Sequence, residues 1–80
     1  MEMLLYKNIR TLRAIHGYTQ KYVAAALNCD QTYYSRMERG QADIHVSLLM
    51  KIADFFSIPE QSLLYIDLSD QALNMTIKKL

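Results

Sequence analysis

The sequence holds one cysteine, one proline and two glycines in 80 residues. A lone Cys29 leaves no intrachain disulfide and no cysteine-cluster zinc site, and it suits a reducing compartment. With so few helix breakers, the apolar periodicity is helical along the whole chain. There is no internal repeat and no low-complexity tract. No run approaches the ~18 apolar residues of a membrane span. The opening residues Met1-Glu2-Met3-Leu4-Leu5-Tyr6-Lys7 lack the continuing apolar stretch of a signal peptide. A cytoplasmic location with no membrane partner is therefore expected. An excess of one charge is also missing. Nine Lys and Arg against eight Asp and Glu give +1, so any electrostatic case for nucleic acid rests on local placement.

What the chain has in quantity is apolar side chain: 51% is hydrophobic and 21% charged. That composition suits one small folded domain and excludes disorder. The chain is short for a doubly wound α/β fold, and small folds bury too little surface for a deep substrate pocket. The carboxylates are scattered without a nucleophile–base pattern. His16 and His45 are far apart with no ligand-like spacing around them. No enzyme activity, metal site or cofactor is expected. Cys29 reads as a small hydrophobe.

The periodicity gives five helices. The first runs from about Leu4 to His16, with Leu5, Ile9 and Leu12 on one face and Gly17 as its left-handed stop. Thr19 caps a second helix carrying Val23, Ala24 and Leu27 inward. Asn28 tolerates the left-handed region, and Asp30 caps a third helix from Gln31 to Arg39, with Tyr34 and Met37 inward and Gly40 ending it. Gln41 to His45 is a loop. A fourth helix covers about Val46 to Phe56, with Val46, Leu49, Ala53 and Phe56 sharing a face beside Ile52. Ser57-Ile58-Pro59 breaks the chain before a fifth, about Glu60 to Ile66, that places Leu63 inward, with Pro59 suited to its first turn. Ser69 is a candidate cap for a sixth segment over residues 70–79. Helix is favoured there, with strand as the alternative because Thr76 and Ile77 are β-branched.

The informative stretch is Gln20 to Gly40. Two helices crossing steeply need a small side chain at the crossing, which Ala24 supplies, and a corner residue tolerant of positive φ, which Asn28 supplies. Val23, Leu27, Tyr34 and Met37 then hold the pair on a shared core. This layout is a helix-turn-helix, whose second helix lies in the DNA major groove. The groove, about 12 Å wide, admits one helix.

Thr19-Gln20, Val23-Ala24, Leu27-Asn28 and Ser35-Arg36-Met37-Glu38-Arg39-Gly40 resemble the Cro/repressor, Xre-type, helix-turn-helix family of phage and bacterial transcription regulators. The resemblance runs from about Ile9 to about Leu63. It implies an all-α, compact five-helix, lambda-repressor-like DNA-binding bundle. It further implies that Gln31, Thr32 and Arg36 read bases, with Tyr33 and Ser35 as possible contacts. Gln20 at the start of the second helix, and Arg39, Gly40 and Gln41 after the third, would hold the DNA backbone. Lys21 joins them as a basic side chain on that face. Arg13 and Glu38 resemble a family ion pair and are expected to be structural. The chemistry is compatible, since Gln pairs bidentately with adenine, Arg with guanine, and a Thr methyl meets the thymine methyl.

These observations give a DNA-binding domain over 1–66 and a C-terminal extension over 67–80. Leu68, Leu73, Ile77 and Leu80 would stand largely exposed in that extension, which marks it as a dimerisation element. A homodimer would offset the weak binding expected from three basic contacts, Lys21, Arg36 and Arg39, and would span half-sites about 34 Å apart. The expected function is a sequence-specific transcriptional repressor acting on double-stranded DNA. The alternative is a protein-interaction module, antitoxin-like or an anti-repressor partner, with the same fold and little DNA affinity. Near-neutral charge, Asp30, and a loop Ala42-Asp43-Ile44-His45 without Lys or Arg favour that alternative.

Overall fold

The computed structural model describes residues 2–69, and within them every regular element is a helix. The order is α1 (Glu2–His16), α2 (Gln20–Ala26), α3 (Gln31–Glu38), α4 (Val46–Phe56) and α5 (Glu60–Tyr65). The expected bounds of α4 are met, and those of α1, α3 and α5 shift by one or two residues at an end. The five-helix all-α architecture agrees with the sequence reading.

The helix ends follow local chemistry. At Gly17, φ is 71°, and the Tyr18 amide reaches back to Arg13 O at 3.1 Å. Thr19 accepts the Tyr22 amide at 3.0 Å, and Asp30 accepts the Tyr33 amide at 2.8 Å, which satisfies orphan donors at the starts of α2 and α3. Asn28 takes φ 58° at the corner between them. Gly40 takes φ 72°, and a Cβ there would lie 3.0 Å from Tyr6 Cδ2, so both conformation and space call for glycine. Two ends differ from expectation. The left-handed stop of α4 is Ser57, at φ 56°, and Pro59 occupies the extended N-cap of α5 rather than its first turn.

The core joins Leu5, Ile9 and Leu12 of α1 to Val23, Ala24 and Leu27, then to Tyr34 and Met37 of α3, and to Ile52, Ala53, Phe56, Leu63 and Leu68. Ala24 is buried in this core, as the small residue expected where α2 meets α3 must be. Val46 is a correction, since it is 72% exposed. It lies at the margin of the buried arc of α4, in the first turn, on the same line as exposed Met50.

Leu68 is a second correction. It is buried in its own bundle rather than awaiting a partner. The cause is Asn8, a fully buried side chain of α1. Its Nδ2 donates to Leu63 O at 2.8 Å and Ile66 O at 2.6 Å, and its Oδ1 accepts the Leu68 amide at 3.0 Å. One amide thus closes the open carbonyl end of α5 and turns the chain back over α1. Lys7 Nζ adds a bond to Asp67 Oδ2 at 3.0 Å. Leu73, Ile77, Leu80 and the expected sixth segment lie outside the described residues.

Candidate nucleic-acid interface

The third helix is two-faced. Tyr34 and Met37 are fully buried, while Gln31, Thr32 and Arg36 stand in solvent. That split is what the spacing demands of an eight-residue helix with one packed face. The cap at Asp30 starts the helix directly after the turn, so Gln31 and Thr32 project from its first turn. Gln20, Gln31, Thr32, Ser35 and Arg39 line one open hollow between α2 and α3. Five of the expected contact residues are therefore contiguous in space.

The residues after α3 form a second, connected part. Arg39 Nη1 donates to Ser35 Oγ at 2.8 Å, and its Nε donates to Gln41 Oε1 at 3.2 Å. Arg36 Nη2 donates to Gln41 O at 3.2 Å, and the Gln41 amide donates to Arg36 O at 2.8 Å. Arg36 thus leans toward the loop. It sits on a single exposed bond of little net strength, so it can be redirected at small cost. Lys21 and Gly40 are exposed. Tyr33 is half-buried against the core and hydrogen-bonds Asp43 O through its hydroxyl. Asp30, the cap of α3, and Asp43, in the loop after α3, are both exposed.

Beneath the surface lies the ion pair. Arg13 Nε donates to Glu38 Oε2 at 2.6 Å and Nη2 to Oε1 at 3.0 Å, a forked contact. Arg13 Nη1 also donates to Tyr18 O at 3.0 Å, and Arg10 Nη1 to Glu38 O at 2.5 Å. Burial alone would raise the Glu38 pKa. Hydrogen bonds from Arg13 and Gln20, with the Tyr34 phenol close by, outweigh that and hold the carboxyl below the usual glutamate range. The same contact, Glu38 first, raises Arg13. Burial, then Glu38, pushes the Tyr34 phenol far up, so it stays neutral in the core.

Sequence reasoning missed the link from this pair to the surface. Gln20 Nε2 donates to Glu38 Oε1 at 3.1 Å. A primary amide has two N–H groups, so one is spent on Glu38 and the other remains for an acceptor outside. Asn8, Arg10 and the Tyr33–Asp43 contact were also absent from the sequence reading. His16 is engaged within its own neighbourhood. Its Nδ1 meets Leu12 O at 2.8 Å and its ring stacks on Tyr18. Cys29 is half-buried against the core, and burial raises its thiol pKa. Among the described residues no helix is long and apolar enough to cross a membrane.

Comparison with known proteins agrees with this geometry. A helix-turn-helix family model matches residues 9–63, more than half of the chain. No match was found among curated proteins or among solved structures. A capped α2, a positive-φ corner at Asn28 and a two-faced α3, within a family match that spans both helices, place the chain in the helix-turn-helix family as a DNA-binding regulator of the Cro/repressor, Xre type.

Proposed function

We propose that the protein is a sequence-specific repressor that inserts α3 into the major groove of double-stranded DNA. Gln31, Thr32 and Arg36 read base edges, and Ser35 lies at the border of that contact. Gln20, Lys21, Arg39, Gly40 and Gln41 hold the phosphates. The observation that carries this is the polarity of α3, with Tyr34 and Met37 sealed in the core and Gln31, Thr32 and Arg36 in solvent. Phosphate contacts set register and base contacts set sequence, so the two groups have separable effects. Repression follows from occupying an operator that overlaps a promoter. The protein works in the cytoplasm as a homodimer joined through the part of the C-terminal extension beyond Ser69, which supplies the second half-site contact that three basic side chains cannot replace.

Selection of bound duplexes from a random pool tests this reading. The parent chain should enrich a palindromic site. Gln31→Ala and Arg36→Ala should each relax preference at one position per half-site, by about 1–3 kcal/mol against the wrong base. Enrichment of no sequence by the parent would refute it.

A second reading, a protein-interaction module with little DNA affinity, is favoured by one feature of the surface. Asp30, which caps α3, and Asp43, in the loop that follows α3, are exposed carboxylates that a phosphate backbone would repel. A salt titration separates the two. A DNA regulator gives a log–log slope that flattens when the phosphate contact Arg39 is neutralised, whereas the module gives no saturable binding even at low salt.

A further inference from the structure

Tyr33 occupies an outward position of α3, one residue from Thr32, yet it is not free to meet a base. Part of its ring packs against the core, its amide is held by Asp30 Oδ1 at 2.8 Å, and its hydroxyl donates to Asp43 O, ten residues along the chain. We propose that Tyr33 is a positioning residue, which holds the loop between α3 and α4 in the shape that lets Arg39, Gly40 and Gln41 meet phosphate, and which reads no base itself. This rests on the DNA-binding reading above.

The other ties of the loop gather at its start and at its apolar side chains. Gln41 is bound back to Arg36, and Ala42 and Ile44 pack partly on the core. The Tyr33 hydroxyl takes the carbonyl between those two residues, Asp43 O. Swinging Tyr33 toward a groove would break that bond and expose the packed part of its ring. The same side chain therefore serves either the loop or a base, and the geometry assigns it to the loop. Burial, with Cys29 and Asp43 adding to it, raises the phenol pKa, so the hydroxyl remains a donor at neutral pH. Because phosphates carry no sequence, a loop fault weakens binding to every duplex alike.

Tyr33→Phe removes the hydroxyl and keeps the ring, and two measurements follow it. Amide hydrogen exchange of the free chain should quicken several-fold at residues 41–44. Affinity for the selected duplex and for a scrambled one should fall by the same factor, at most about five-fold, because one lost hydrogen bond lowers the population of the competent loop by no more than that, with base preference unchanged. Thr32→Ala gives the contrasting pattern: an altered base preference and unchanged loop exchange. Unchanged exchange in Tyr33→Phe overturns the proposal, as does a loss of preference at one base position. If the parent chain binds no duplex, the DNA-binding reading falls and takes the phosphate role with it, whatever the exchange result.

Discussion

Replacing Asn8 should unfold much of the domain's margin of stability. Its side chain is fully buried, and three backbone groups depend on it: Leu63 O, Ile66 O and the Leu68 amide. Asn8→Ala leaves all three without that partner. A buried polar group left unpaired costs about 1–3 kcal/mol, and water entering the vacated space recovers part of the loss. The expected net loss is about 3 kcal/mol, a large fraction of the ~5–15 kcal/mol that holds a domain together. Asn8→Asp is the sharper probe. It keeps the shape and can still accept the Leu68 amide, but it sets an oxygen where Nδ2 faced two carbonyls. At neutral pH it should be more damaging than alanine. The buried Asp would have a raised pKa, so its penalty should shrink as pH falls through that pKa and the carboxyl gains a proton to donate. Urea unfolding followed by circular dichroism, at pH 7 and pH 5, measures both. Asn8→Asp as stable as the parent at pH 7 would refute the hydrogen-bond assignment.

Three further outcomes are expected. Glu38→Gln should lose about 2–3 kcal/mol, below the ~3–5 kcal/mol for breaking a fully buried pair because Arg13 is partly open to solvent. Glu38 has a lowered folded pKa, so its stabilisation is full above the unfolded value of about 4.3 and fades as pH falls through the folded one. A pH series of unfolding should show that acid loss in the parent and a shallower one in Glu38→Gln. Gly40→Ala should cost about 1–2 kcal/mol in thermal or chemical unfolding, since alanine must take φ 72° with its Cβ at 3.0 Å from Tyr6. Asp43→Asn should tighten binding to specific and scrambled duplexes alike, read by fluorescence anisotropy, because it removes repulsion from phosphates that carry no sequence.

The helix-turn-helix itself was legible because its determinants are local. Thr19 and Asp30 are strong caps, Asn28 tolerates positive φ, Ala24 is small, and the apolar spacing of Val23, Leu27, Tyr34 and Met37 is helical. The Arg13–Glu38 pair was reachable only through the family resemblance, since nothing in the spacing joins residues 25 apart. Asn8 was invisible for a stronger reason: its partners are backbone groups more than 50 positions away, and backbone groups leave no mark on sequence. Ser57 gives no signal that it holds the left-handed stop of α4, and a nearby Pro59 drew attention instead. Val46 was misplaced because periodicity gives a face but not how far the neighbouring helices extend along it. Leu68 was misplaced because its burial depends on Asn8. Tyr33 looked outward by register, and only the path of the loop shows that its hydroxyl is occupied.

The most direct test of how this surface works is a titration of isotope-labelled protein with the selected duplex, followed through its amide resonances. Saturable shifts should concentrate at residues 20–21, 31–36 and 39–41, with Met50 and Tyr65 unaffected. Shifts gathered instead on α4 and α5, or none that saturate at low salt, would contradict the placement of α3 in the groove.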